Sequence, residues 1–242
     1  PSNIKRESVS CLLEYAYDDW CIARMAQEMG KEDIYKKYIE RSQNYINVFD
    51  GATRFFRGKR MDGNWESPFN PLAVGRAYTE ATAWQYRFFV PHDVNGMIQL
   101  FGGKEEFVAA LDDIFNTDAE IHGNLVDITG LIGQYVHGNE PSHHIAYLYN
   151  YVGEPWKTQK MSRRLLNEMY HPTPEGIIGN EDCGQMSAWY ILSSMGLYSV
   201  CPGSNEYVLT TPLFEKVVVH LANGRTLTIL ANDPQKNIYI TK

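Results

Sequence analysis

Apolar residues fall at Val9, Leu12, Leu13, Ala16, Trp20 and Ala23, a spacing of three and four that lines one stripe of a helix and runs out at Gly30. Residues 31–49 repeat the spacing with Ile34, Tyr35, Tyr38, Ile39, Tyr45 and Ile46. The pattern predicts two helices joined by a short turn, an αα-hairpin. Further helical stripes run over 78–89, 95–101, 104–115, 156–170 and 186–197, and Pro141 is placed to open another over 141–152. The stretch 50–74 carries no such period, yet its Phe55, Phe56, Trp65 and Phe69 predict an ordered loop. After Pro202-Gly203 the period changes from 3.6 to 2. The runs 217–219, 227–230 and 238–240 read as three short strands, the first two a hairpin turning at Asn223-Gly224. The expected class is mainly α with a small β element. A helical portion, 1–202, is followed by a β segment, 203–242, that packs on it or completes a sheet.

Composition narrows the picture. At 242 residues and 44% hydrophobic content the chain can bury a substantial core. The net charge of −7, with no cluster of lysine and arginine, argues against a nucleic-acid partner. No apolar run is long enough to predict a membrane span. Cys11, Cys21, Cys183 and Cys201 are scattered, with no C-x-x-C pair to bind metal or cycle redox state. The 16 tyrosines and 5 tryptophans suit stacking on sugar rings and suit a packed helical core equally, so they select neither.

Three polar clusters at loop-to-helix junctions carry the candidate chemistry. Glu80 lies among Tyr78, Trp84, Gln85 and Tyr86, rings that would desolvate a carboxyl and hold it protonated as a general acid. The plain alternative is a glutamate on a helix surface. Asp182, in Gly179-Asn180-Glu181-Asp182-Cys183-Gly184, is expected among backbone amides that keep it ionised and able to take a proton from water. Its plain alternative is a helix cap. Two carboxylates in unlike surroundings are what glycoside hydrolysis needs, although sequence alone leaves inversion and retention open. The third cluster, His137, Asn139, Glu140, His143 and His144, lacks zinc spacing, because His143 and His144 are adjacent and no H-E-x-x-H occurs. Asn139 and Glu140, joined by Asp182, would suit calcium; Glu140-Pro141 could equally be a cap, and the histidines could bond sugar hydroxyls.

The segments GNEDCGQMSAWYILSSMGLYSVCPGS, HGNEPSHHIAYLYNYVGEPWKTQ and AYTEATAWQYRFFVPHD resemble the carboxy-terminal part of glycoside hydrolase family 92, the calcium-dependent exo-acting α-mannosidases. The resemblance implies a partial (α/α)6 barrel of paired helices, the remainder of the polypeptide contributing an amino-terminal β-sandwich and the early barrel helices. It implies inversion, with Glu80 as acid, Asp182 as base and Asn180 as its helper, standing where some relatives carry a second aspartate. Ala81-Thr82 replaces the Gly-Asn often found after the acid. It further implies Ca2+ on Asn139, Glu140 and Asp182, with Trp65, Trp84, Gln85, His137, His143 and His144 as substrate-binding residues. The expected function is release of terminal α-linked mannose from a mannose-containing oligosaccharide or N-glycan by a secreted or periplasmic enzyme. The alternatives are a glycan-binding helical domain without turnover, or an (α/α)6 glycosidase acting on α-glucosides.

Overall fold

The computed structural model describes residues 1–2, 4–124 and 126–241. They form two compact units, Pro1–Ser142 and His143–Lys242. The change of hydrophobic period near 202 is therefore internal to the second unit.

In the first unit, α1 (Ser8–Glu28) and α2 (Glu32–Arg41) form the expected αα-hairpin, turning at Gly30 with φ 66°. The rest of the second stripe, Ser42–Val48, tightens to a 3-10 helix. The ordered loop that follows begins with a strand pair, β1 (Phe49–Asp50) against β2 (Phe55–Phe56). Asp50 and Arg57 close it with a half-buried ion pair of 2.7 Å.

The helix expected over 78–89 shrinks to α3 (Ala83–Tyr86). Thr82 is extended and accepts from the Trp84 amide through Oγ1, while Gln85 Oε1 accepts from the Thr82 N–H. This capping box starts the helix at 83 and excludes 78–82 from it. Next come α4 (Val94–Phe101), capped by Asp93 on the Gly96 N–H, and α5 (Lys104–Asn116). Their apolar stripes meet at Phe101 and Phe107, with Phe88 packed on both, centroids 5.1–5.6 Å apart. The Arg87 guanidinium lies over Phe55, Trp84, Phe88 and Phe101, and burial pulls its pKa down to about 10. A short pair, β3 (Leu131–Ile132) and β4 (Tyr135–Val136), leads into a 3-10 turn at Glu140–Ser142.

In the second unit the segment Ile145–Val152 is 3-10 rather than α-helical. Then come α6 (Pro155–Glu168), α7 (Gln185–Met195), the pair β5 (Leu197–Tyr198) and β6 (Val208–Leu209), and the hairpin β7 (Lys216–His220) and β8 (Thr226–Leu230). The core stacks Tyr147 on Tyr198 at 4.1 Å and Tyr170 on Trp189 at 5.8 Å. The hairpin turns at Asn223-Gly224 as predicted, with Gly224 at φ 79°. The third strand does not form. The Ile238 carbonyl accepts from Thr211 Oγ1 (2.6 Å) and the Ile240 N–H donates to Gln159 Oε1 (3.0 Å), so side chains take the bonds a sheet ladder would use. Among the described residues no helix is long and apolar enough to cross a membrane.

Candidate active site

Glu80 stands in the first unit at φ 50°, a left-handed conformation that a non-glycine residue adopts at a cost and keeps only when its surroundings impose it. The surroundings are dense. The Val9 and Ser10 N–H groups donate to the Ala77 carbonyl, and the Thr79 N–H donates to Ser10 Oγ at 2.8 Å. The Gly75 N–H donates to the Ala81 carbonyl, and Asn139 Nδ2 donates to the Glu80 carbonyl at 3.1 Å. The backbone is thus pinned on both sides of Glu80 while its side chain stays exposed. The exposure corrects the expectation of a carboxyl sunk among rings: Tyr78, Trp84 and Tyr86 are buried, and because the chain turns left-handed at Glu80 the acid does not join them.

Asp182, in the second unit, repeats the pattern at φ 51°, followed by Cys183 at 56° and Gly184 at 99°. Its side chain is also exposed. The amides expected around it belong to its neighbour. Glu181 Oε2 accepts from the Gly184 N–H (2.6 Å) and Oε1 from the Ser187 N–H (3.2 Å). The Ser187 side chain leads the causes that hold the Glu181 carboxyl below its ordinary pKa, and the Ser187 and Gly184 amides add to it. Glu181, not Asp182, caps α7, and that leaves the Asp182 carboxylate outside the cap. Asn180 is exposed beside them.

The other predicted residues sort by burial. Gln85 is 2% exposed, with Oε1 on Thr82 and Nε2 donating to the Gln134 carbonyl at 2.6 Å. Trp84 packs edge-on against Phe55 and under Arg87. These two are buried on the chain just after Glu80, where Gln85 fixes the start of α3. His137 is enclosed, with Nδ1 2.8 Å from the Tyr135 hydroxyl. His143 and His144 are buried too; His143 pairs with Gln185 at 3.3 Å and its carbonyl accepts from Trp189 Nε1, tying it to the start of α7. Trp65 is half-exposed in the 50–74 loop, with Lys59 Nζ 4.8 Å from its ring. The structure thus brings Glu80, Asn139 and Gln85 together in the first unit, and Asp182, Asn180 and His143 around the start of α7 in the second. Sequence reasoning missed Glu181 as the cap and Glu14 as a half-buried acid near the Glu80 loop. The T-x-x-Q spacing of Thr82 and Gln85 was the signal that would have placed the start of α3.

The model of the glycosyl hydrolase family 92 catalytic domain matches residues 1–242. The chain belongs to this family. A family GH92 α-mannosidase of Bacteroides thetaiotaomicron, solved in complex with mannoimidazole, is 43% identical over 96% of this chain and 32% of its own, with a TM-score of 0.90. A GH92 inverting mannosidase of the same bacterium is 39% identical over 95% of this chain and 32% of its own, at a TM-score of 0.83. An uncharacterised secreted glycosidase of Arthroderma benhamiae is 31% identical over 268 residues, covering 100% of this chain and 32% of that protein. The chain therefore spans about a third of the length of these relatives. The mainly helical class read from the sequence as part of an (α/α)6 barrel is that of the family.

Membership in family 92 raises the question of calcium. Asn139 Oδ1 accepts one N–H, from Glu140, of the two an amide oxygen can take, and Glu140 adds a half-exposed carboxylate. Amide and carboxylate oxygens are the donors calcium prefers, so the pair fits in kind. Among the described residues no three His, Cys, Asp or Glu side chains gather into a metal-holding group.

Proposed function

We propose that this chain carries catalytic residues of an exo-acting α-mannosidase, which removes terminal α-linked mannose from an oligosaccharide or N-glycan by a single displacement with inversion. What supports this reading most is the 43% identity to an α-mannosidase solved with mannoimidazole, over 96% of the chain. Glu80 donates a proton to the glycosidic oxygen as the bond to C1 breaks. Asp182 takes a proton from a water whose oxygen bonds to C1 from the opposite face, and the product leaves with inverted configuration. Asn180 helps to orient that water. Each acid works from a fixed backbone and an exposed side chain, which positions the group without sealing it from substrate. Trp65 offers the half-exposed ring suited to a pyranose face. Asn139 and Glu140 would supply oxygen ligands to calcium, which when bound polarises sugar hydroxyls and favours a distorted ring. The protein acts outside the cytoplasm, secreted or periplasmic, and works with the sequence its relatives possess beyond this span.

The test offers a panel of α-mannobioses and α-glucosides to the full-length protein, with and without a calcium chelator. The reading predicts mannose release, β-mannose as the first anomer seen by NMR, and loss of both activity and thermal stability on chelation. Glucose release, or glycan binding with no sugar freed, would contradict it. Recovery of the protein in the cytoplasmic fraction alone would contradict the location.

A further inference from the structure

Glu14, on α1, accepts from the hydroxyl of Tyr86, three residues after Ala83 opens α3. It lies one helical turn beyond Ser10, so both side chains share a face of the helix. Along that face polar groups follow one another from the Glu80 loop to Glu14. The Thr79 N–H donates to Ser10 Oγ at 2.8 Å, the Ser10 side chain lies near enough to the Tyr86 hydroxyl to lower its pKa, and Tyr86 Oη donates to Glu14 Oε1 at 3.3 Å. Ser10 is 1% exposed and Tyr86 3%, so few waters compete for these bonds. At the open end of the line is the residue before Glu80. At the closed end is a carboxyl with no role in the mechanism above.

We propose that Glu14 and Tyr86, acting through Ser10, are positioning residues for Glu80, fixing the Thr79–Glu80 backbone so that the acid meets the leaving oxygen. Glu80 needs such a fixture because its side chain is exposed and its backbone left-handed; freed of restraint, the loop would relax toward commoner φ values and carry the carboxyl away. Asn139 holds the Glu80 carbonyl, and the Ser10 line holds the amide preceding it. The two clamps come from different elements and grip opposite sides of the same residue. The electrostatics agree. Burial raises the Tyr86 hydroxyl pKa, Ser10 opposes the rise and the Glu14 and Glu80 carboxylates add to it, so Tyr86 remains a donor to Glu14 throughout the working pH range. Burial also pushes Glu14 up to about 7, with the Asp18 charge adding and the Tyr86 bond opposing.

The inference rests on Glu80 being the general acid, and the test separates the two claims. In the full-length protein, E14A, Y86F, S10A, E14Q and E80Q are compared on an α-mannobiose, whose leaving oxygen must be protonated, and on dinitrophenyl α-mannoside, whose leaving group departs without a proton. A misplaced acid lowers kcat on mannobiose by about 10- to 100-fold for E14A, Y86F and S10A, leaving KM and the dinitrophenyl rate near wild type. E14Q, whose amide oxygen still accepts from Tyr86, retains most of the mannobiose rate. Y86F keeps the buried ring and deletes only the hydroxyl, so it reports on the line of bonds even if E14A does not fold. Equal losses on both substrates would reduce Glu14 and Tyr86 to structural roles and overturn the proposal, as would no loss in Y86F. If E80Q itself is slowed equally on both substrates, the assignment of the acid fails whatever the other variants do.

Discussion

The loops bearing Glu80 and Asp182 reach the same local geometry by different means. Each exposes a carboxylate at a left-handed residue, φ 50° and 51°, a few positions before a helix. The Glu80 loop is held from a distance: Ser10 lies 69 positions before Thr79, and Asn139 lies 59 positions after Glu80. The Asp182 loop is held by its immediate neighbours, Glu181 on the Gly184 and Ser187 amides, with the Gln185 N–H on the Asp182 carbonyl. A locally tied loop can keep its shape while the unit around it breathes; a remotely tied one keeps its shape only while α1 and the 137–142 segment stay docked. Substitutions behind Glu80 should therefore cost global stability, whereas those behind Asp182 should loosen only the loop.

The largest effect is expected at Gln85. Q85A leaves the Thr82 N–H and the Gln134 carbonyl buried without their partner, and thermal or urea unfolding should show a loss of about 2–4 kcal/mol. A loss confined to activity, with unfolding unchanged, would break the comparison on this side. At Asp182 the matching change is E181A. Hydrogen exchange at Gly184 and Ser187 should quicken by about tenfold while α6 exchange stays as in wild type. A global drop as large as that of Q85A would break the comparison on the other side.

Two pH effects sharpen the contrast. Glu14 has a folded pKa of about 7, above its ordinary 4.5, so its contribution to stability is complete below the unfolded value and is lost as pH rises through the folded one. E14Q should therefore gain on wild type between about pH 5 and pH 8, as read by urea midpoints; a constant difference would contradict the burial. Glu181 is shifted the other way. Its contribution is present above the ordinary carboxylate pKa and lost as pH falls through the lowered folded value, so E181Q should flatten only the acid side, by the smallest amount of the four.

The same contrast explains what the sequence made legible. The stripes of α1, α2, α4, α5, α6 and α7 and the turn at Asn223-Gly224 are local signals, and the chain follows them. The Asp182 loop was nearly readable too, since its glycines, its acids and the start of α7 are contiguous; the misreading was which of two adjacent acids caps the helix. Glutamate's extra methylene lets Glu181 reach two amides on, which a one-residue argument from capping preference does not capture. The Glu80 loop was hidden because its shape is written in Ser10, Glu14 and Asn139, none of which is near it in sequence. A helical period ran through 78–82 and tertiary bonds overrode it. Ile238–Ile240 failed as a strand for a similar reason: side chains of Thr211 and Gln159 reached its backbone first.

The division of labour between the two acids is best tested by comparing E80Q with D182N in the full-length protein on an α-mannobiose and on dinitrophenyl α-mannoside. On mannobiose both should lose about 10²- to 10⁴-fold in kcat. On the dinitrophenyl substrate E80Q should recover to near wild type, while D182N, still lacking the group that takes the proton from water, should remain slow. Recovery of D182N and not E80Q, or near-wild-type turnover of mannobiose by either variant, would contradict the account.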